Sequence, residues 1–195
     1  MELARYKACI CEGSAENAIM DILLDNKLLI FSREEMLEEE VIRCREGKKF
    51  EEKYLRKGFK SKISIIRILD SRRENFRLSN AGLAALVNPL FVLKCENFRL
   101  SKAYEHKVDI INIITAPEIE MLIIFTEDKY KEFKKSGKKP SDFCKENLKM
   151  SNVKTYDYVK DYFADSTVLV AAIKKYHEIS KIQKGEYTLL DLLKK

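Results

Sequence analysis

Four acidic residues follow apolar segments that are predicted to form β-strands: Glu12, Asp70, Glu118 and Glu120. Because parallel strands end at the same edge of a sheet, side chains that follow such strands are expected to converge there. Carboxylate oxygens are the ligands that Mg²⁺ and Mn²⁺ prefer, and a metal there would bind phosphate oxygens and activate water for phosphodiester cleavage. The residues therefore indicate a Mg²⁺ or Mn²⁺ site. The alternative is that Glu12 and Glu118 complement helix N-termini while Asp70 begins a turn.

The strands that would position these acids are short apolar segments. Residues 63–69 (ISIIRIL) and 108–114 (VDIINII) are rich in β-branched residues, as buried parallel strands are. Residues 6–11 (YKACIC) and 28–31 (LLIF) are predicted as two further strands. Cys9 and Cys11 alternate onto one face of the first strand and are expected to be buried there.

Segments with helical spacing lie between and after the strands. One helix is predicted over 14–26, and a capping box of Ser32 and Glu35 is predicted to open a long charged helix. Another helix is predicted to begin at Pro117 and to end at 136–137. The C-terminal part is predicted to be helical, with segments that begin at Pro140, span about 156–163 and span 166–180.

This order of elements predicts an α/β fold, with a small and mainly parallel sheet flanked by helices and a helical C-terminal part. The chain has 195 residues, which suits one α/β domain over 1–139 with a helical part over 140–195 packed on it. Only 6 Gly and 3 Pro are present, which disfavours an all-β sandwich because that fold needs frequent turns.

A short sequence repeat interrupts the connection between two of the strands. ENFRLS occurs at 74–79 and again at 96–101, and the segment between the copies is apolar and nearly uncharged. Two copies are too few for a solenoid. We interpret residues 74–95 as an insertion whose central part, 80–95, forms a surface hairpin or helix or is disordered. We predict that it is dispensable.

The remaining composition indicates a cytoplasmic protein outside the membrane. Five cysteines without a C-x-x-C pair argue against a disulfide framework or a zinc ribbon and suit a reducing compartment. The N-terminus has no signal-peptide pattern, and the longest apolar stretch is too short to span a bilayer. The net charge of +6 permits contact with nucleic acid or with an acidic partner.

Two short motifs resemble those of the Toprim domain. The sequence CEGSAE at 11–16 follows the first strand and is similar to the opening Glu-Gly motif, and LDSR at 69–72 stands in the place of the Asp-x-Asp motif. The closer likeness is to RloB-like and abortive-infection-type small bacterial proteins, in which a strand is followed by Pro, an acid and a helix, as in TAPEIEMLIIF at 115–125. The resemblance covers roughly residues 6–125, and the helical tail resembles only the small-protein group.

The resemblance implies a phosphodiester-handling protein or nuclease that uses Mg²⁺ or Mn²⁺, in phage defence. Carried over, Glu12 is the general acid/base and Asp70 is a metal ligand. Arg72 stands where the second acid of the motif would be, and arginine cannot ligate Mg²⁺, so Glu118 or Glu120 would have to replace it.

The departure at Arg72 keeps a second reading open. Arg72 and Arg73 suit bidentate binding of a phosphate. The site would then bind nucleic acid, a nucleotide or a partner protein without cutting it.

A lysine-rich segment is a second feature that favours a nucleic-acid partner. Ten Lys and four acids lie between residues 129 and 160, with Tyr and Phe between them. Such a pattern suits DNA or RNA, because lysines bind phosphates and aromatic rings stack on bases. The alternative is an ordinary solvated helix surface whose aromatic residues face the core.

Overall fold

A computed structural model of the chain describes residues 1–44, 46–56, 61–69, 98, 100–104, 106–180 and 182–194. Three of the residues expected at the site, Asp70, Arg72 and Arg73, lie outside this set. The proposed insertion at 74–95 lies outside it as well.

The sheet has four parallel strands in the order β2-β1-β3-β4. Cys9 in the first strand pairs with Ile66, and Ile66 pairs with Ile111. This register confirms the predicted α/β fold with a small parallel sheet. The strands are β1 (Tyr6–Cys11), β2 (Ile42–Arg43), β3 (Ile63–Leu69) and β4 (Val108–Ile114).

Eight helices flank the sheet within the described residues, and five of them belong to the region after residue 129. Among all the described residues, no helix has the length and apolar character needed to cross a bilayer. A π-helical turn, Glu51–Leu55, continues the second helix. The helices are α1 (Ser14–Asp25), α2 (Gly47–Phe50), α3 (Met121–Thr126), α4 (Tyr130–Ser136), α5 (Pro140–Glu146), α6 (Tyr156–Tyr162), α7 (Ser166–Ile179) and α8 (Leu189–Leu192).

The two faces of the sheet are covered by different parts of the chain. One face, which we call the α1 face, packs against α1, α3 and the C-terminal helices. The opposite face, the α2 face, packs against Phe50, Tyr54 and Phe98. Cys9 and Cys11 lie on the α1 face and are fully buried, as predicted.

The C-terminal helices share the hydrophobic core of the α1 face. Leu169 and Ile173 of α7 are fully buried in the same cluster as Ile113 of β4. The Tyr176 hydroxyl donates a hydrogen bond of 2.6 Å to the Ala116 carbonyl, and the Ile114 N–H donates one of 2.8 Å to the Tyr187 carbonyl. These contacts fasten the C-terminal part to β4.

The strand predicted at 28–31 is wrong. Leu29 makes only an isolated antiparallel bridge to Leu193. The Ile30 N–H donates to the Leu192 carbonyl, and the Lys194 N–H donates to the Leu28 carbonyl. Leu29 and Phe31 are buried, Ile30 is exposed, and the backbone of this segment bonds to the C-terminal end of the chain, so the edge strand beside β1 is β2.

The long charged helix predicted after Ser32 is also wrong. Ser32 and Glu35 form the expected capping box, but it opens a single 3₁₀ turn. Glu38 and Glu39 have φ of 59° and 56°, in the left-handed region, which breaks helical geometry. The Glu35 carboxylate, 2.6 Å from Lys7 Nζ, holds the turn against β1 instead.

The helix predicted from Pro117 begins later and is divided in two. Glu118 lies in the connection from β4, Glu120 is the N-cap residue of α3, and α3 begins at Met121. Asp128 has φ of 54°, which ends the first helix before α4 begins at Tyr130. Glu118 and Glu120 therefore precede the first helical turn.

Candidate functional site

The candidate site lies at the edge of the sheet where β1 and β3 end. These two strands are neighbours, and the chain leaves β1 into α1 on the α1 face. The described part of the β3–β4 connection, including Phe98 and Tyr104, packs on the α2 face. In the order β2-β1-β3-β4, β1 is followed in the chain by the strand on one side of it and β3 by the strand on the other side, so the strand order reverses between β1 and β3. The end of the strands at such a reversal is the usual ligand position in parallel sheets. Glu12 is the first residue after β1, and Asp70 is the next residue in the chain after Leu69.

Glu12 is held by a buried arginine of the neighbouring strand. Arg67 Nη2 lies 3.2 Å from Glu12 Oε1. The Arg67 side chain is 1% exposed and that of Glu12 is 22% exposed. A guanidinium removed from water requires an acceptor, because the energy of desolvation is otherwise not offset. The pair therefore fixes the Glu12 carboxylate at the end of β1 while leaving part of it accessible.

The surroundings of Arg67 are polar and aromatic. Its guanidinium carbon lies 4.8 Å from the centroid of the Phe98 ring, which suits a cation–π contact. Arg67 is paired in register with Ile10 of β1 and with Asn112 of β4, and Asn112 is 4% exposed. Arg67 and Asn112 thus form a buried polar band across the α2 face, next to Glu12.

Sequence reasoning missed Arg67. The signal was present, because a single charged residue interrupts an otherwise apolar parallel strand, ISIIRIL. A parallel strand covered on both faces buries its side chains, so a charge within it requires a partner on an adjacent strand. The nearest acid at the end of the neighbouring strand is Glu12.

Glu118 is occupied by contacts with the C-terminal part. Its Oε2 accepts a hydrogen bond of 2.8 Å from the Ser141 N–H, near the start of α5. Its Oε1 lies 3.5 Å from Lys154 Nζ, and its side chain is 16% exposed. Glu118 therefore joins the connection after β4 to α5.

Glu120 is a carboxyl group in apolar surroundings. It is 4% exposed and lines a small cavity on the α1 face with Ala15, Ile119, Ile123 and Phe163. Burial raises the pKa of Glu120 to about 7, and the nearby carboxylates of Glu118 and Glu16 act in the same direction. Its own backbone N–H and Lys154 oppose that rise in the pKa of Glu120.

A fourth acid occupies the start of α1. Gly13 is the N-cap residue, and a Cβ at Gly13 would lie 2.2 Å from Glu16 Oε2. Glu16 is 5% exposed, so its carboxylate is packed over the helix N-terminus, where negative charge is favourable. The Glu16 carboxylate therefore already occupies the N-terminus of α1, and its negative charge would repel an anionic ligand there.

The structure divides the expected acids between the two faces of the sheet. Glu118 and Glu120 belong with Glu16 on the α1 face, whereas Glu12 contacts Arg67 on the α2 face. Across the described residues, no three His, Cys, Asp or Glu side chains lie close enough together to hold a metal ion. A cation at the end of β1 and β3 would therefore depend on Glu12 together with Asp70.

The chain was also compared with known proteins. Comparison with protein-family models, with curated proteins and with solved structures finds no match.

Proposed function

We propose that this chain is a Mg²⁺- or Mn²⁺-dependent protein that handles phosphodiesters, with its site in the crevice between β1 and β3. The observation that supports it is the position of Glu12, partly exposed and paired with Arg67, at the end of β1 where the strand order of the sheet reverses. The activity is that of a Toprim-like nuclease, as the resemblance implies.

The residues at this edge suit a hard cation. Mg²⁺ is usually held by one or two carboxylates, with water and substrate phosphates completing its shell. Glu12 and Asp70 supply that number of carboxylates from adjacent strands. A bound Mg²⁺ would neutralise phosphate oxygens and lower the pKa of a coordinated water.

The charge of the edge supports dependence on metal. Glu12 and Asp70 follow the adjacent strands β1 and β3, and two carboxylates at this edge would repel a bare phosphodiester. A divalent cation reverses the local charge and allows a phosphate to approach. Glu118 and Glu120 are left out of the proposed ligand set, because Ser141, Lys154 and the apolar cavity account for their positions.

Arg67 has a positioning role in this proposal. Its guanidinium is fully buried, so it acts through Glu12 and does not touch substrate. Its contact with one carboxylate oxygen restricts rotation of the Glu12 side chain at the end of β1. The restrained Glu12 carboxylate would then be available to the cation together with Asp70.

The experiment compares thermal unfolding of the wild type with that of Glu12→Gln, Asp70→Asn and Asp161→Asn. Millimolar Mg²⁺ or Mn²⁺ is expected to raise the Tm of the wild type, because a ligand that binds only the folded state stabilises it. The shift is expected to disappear in Glu12→Gln and Asp70→Asn. The exposed Asp161 serves as a control for loss of one acid, and Asp161→Asn is expected to retain the shift. Metal-dependent cleavage of plasmid or RNA is expected to follow the same order.

A second candidate function is a binding module without catalysis. The observation that favours it is the ion pair of Glu12 with Arg67, combined with Arg72 in place of a second acid. In that case Glu12 is a structural partner of Arg67, and Arg72 and Arg73 would bind the ligand phosphate directly. Nucleic-acid binding that is unaffected by EDTA, without a metal-dependent Tm shift or cleavage, would support this function over the first.

A further inference from the structure

The net positive charge of the chain is concentrated in one segment. Residues 129–149 contain eight lysines and three acids, a net charge of +5 out of +6 for the whole chain. This segment spans α4, the turn that follows it and α5. An asymmetry of this kind indicates a surface suited to an anionic partner.

Six of these lysines form what we call the lysine surface. Each is exposed, and none forms an ion pair with any residue in the described part of the chain. The remaining two, Lys129 and Lys138, are paired with Glu132 and Glu146. The lysine surface consists of Lys131, Lys134, Lys135, Lys139, Lys145 and Lys149.

The scaffold beneath these lysines is fixed. The rings of Phe133 in α4 and Phe143 in α5 meet edge-on with centroids 5.6 Å apart. Gly137, with φ of 65°, makes the turn between the helices. Lys131, Lys134 and Lys135 are spaced i, i+3 and i+4, so they share one side of α4, where like charges repel. A bound polyanion would relieve this repulsion without rearrangement of the backbone.

We infer that the lysine surface binds the phosphate backbone of a nucleic acid. A membrane surface would require apolar side chains beside the charges. The aromatic residues of α4 are instead half-buried against other rings, because Tyr130 packs on Phe125 with centroids 5.0 Å apart and Phe133 packs on Phe143. Lys134 Nζ lies 5.9 Å from the centroid of the Tyr130 ring, so this ring contacts a lysine of the surface without standing out as an exposed anchor. An acidic protein would require an apolar or aromatic anchor among the charges. Repeated lysines without such an anchor suit backbone phosphates, which are contacted for position and not for sequence.

The surface leads toward the proposed site. The Ser141 N–H donates to Glu118, so α5 begins beside the connection that leaves β4. Lys139 is the N-cap residue of α5, two positions before Ser141. A strand of nucleic acid along the lysine surface would therefore reach the same edge of the sheet as Glu12. This last step rests on the proposed function, whereas binding to the lysines does not.

The test measures binding of labelled single-stranded RNA and duplex DNA in EDTA, by fluorescence anisotropy, between about 50 and 200 mM salt. The test variant is Lys131→Gln/Lys134→Gln/Lys135→Gln. The matched control is Lys48→Gln/Lys174→Gln/Lys184→Gln, which removes the same charge from exposed lysines elsewhere. Thermal unfolding of both variants checks that the fold is retained.

We expect salt-dependent binding by the wild type and by the control. The test variant is expected to bind about tenfold to a hundredfold more weakly, with the slope of log K against log salt reduced by about 2 to 3. Equal loss in both variants would overturn the inference, because it would show an effect of net charge alone. Binding to phosphatidylserine vesicles in preference to either nucleic acid would also overturn it.

The failure of this inference is distinguishable from failure of the proposed function. Binding of nucleic acid in EDTA tests the lysine surface without metal, whereas the Tm shift in Mg²⁺ or Mn²⁺ tests the proposed metal site without nucleic acid. Binding that is lost in the lysine variant while the metal-dependent Tm shift persists would support both statements. Binding that is unchanged in the lysine variant would contradict the inference, whether or not the metal-dependent Tm shift is observed.

Discussion

The carboxyl group of Glu120 links protonation to the stability of the fold. Its pKa is raised from 4.5 to about 7, chiefly because the side chain is buried. Between these values the folded state holds a proton that the unfolded state has released. The free energy of unfolding is therefore expected to fall as the pH rises from about 4.5 through about 7, and this contribution is present in full only at lower pH.

The corresponding prediction concerns Glu120→Gln. A pKa difference of this size corresponds to about 3 kcal/mol of stability lost across that pH range. Glutamine cannot ionise, so the variant is expected to lose this part of the pH dependence and to be more stable than the wild type near pH 8. Urea unfolding at a series of pH values measures it, with Asp161→Asn as the control. A variant with the same pH profile as the wild type would show that Glu120 is not the group responsible.

The ion pair of Arg67 and Glu12 gives a second prediction at the residue scale. Glu12→Ala removes an acceptor from a buried guanidinium and is expected to reduce the free energy of unfolding by about 1–3 kcal/mol. Glu12→Gln retains an acceptor oxygen, and its cost is expected to be below about 1 kcal/mol. Urea unfolding of both variants distinguishes them. Equal costs would mean that the contact does not hold Arg67 in place.

At the scale of elements, the start of α1 combines a small N-cap residue with a packed acid. Gly13→Ala would place a methyl group 2.2 Å from Glu16 Oε2, a separation that requires the carboxylate to move. The φ of Gly13 is −110°, which alanine adopts without strain. Most of the cost is therefore expected from the collision, about 1–3 kcal/mol, and a smaller part from the weaker preference for alanine at an N-cap position.

A double-mutant cycle isolates this collision. In a Glu16→Ala background, Gly13→Ala is expected to be close to neutral, since the carboxylate is no longer there. The free energies of unfolding of the two single variants and the double variant give the coupling. Additive effects would indicate that Gly13 is required for another reason.

The sheet and the C-terminal helices could be predicted because their signals are local. The runs at 63–69 and 108–114 are strands by composition alone, and Pro140 marks the start of α5. Residues 28–31 have a similar composition, but their backbone bonds to the last residues of the chain and not to the sheet. The capping box at Ser32 was recognised, but the contact of Glu35 with Lys7 is tertiary and decides how the turn continues.

The candidate site was predictable only in part, for a comparable reason. Sequence order places Glu12 and Asp70 after strands, and the observed order of β1 and β3 makes those strands neighbours. The order of residues in the sequence does not reveal the face of the sheet on which a carboxylate lies. Glu118 and Glu120 lie on the α1 face because of contacts with Ser141 and with α1. Arg67 could have been found from its charge within a buried strand.

At the scale of the whole molecule, the duplicated ENFRLS segment gives a test of modularity. Deletion of residues 74–95 leaves the copy at 96–101, whose Phe98 is 2% exposed and lies 5.7 Å from the Phe50 ring. Loop length changes closure entropy slowly, so the deletion is expected to alter the free energy of unfolding by less than about 1 kcal/mol.

Phe98→Ala in the full chain is the control for this deletion. It creates a cavity in the core of the α2 face and is expected to cost about 3–5 kcal/mol. Urea unfolding measures both variants. A loss of several kcal/mol on deletion would show that apolar residues of 74–95 belong to the core.

We propose above that Glu12 and Asp70 hold one divalent cation between β1 and β3. The most direct measurement is the anomalous difference density of a crystal of this protein soaked in Mn²⁺. We predict one peak with oxygen atoms of both carboxylates at about 2.0–2.2 Å. No peak at saturating Mn²⁺, or a peak only between Glu118 and Glu120 with Glu12 still paired to Arg67, would contradict the account.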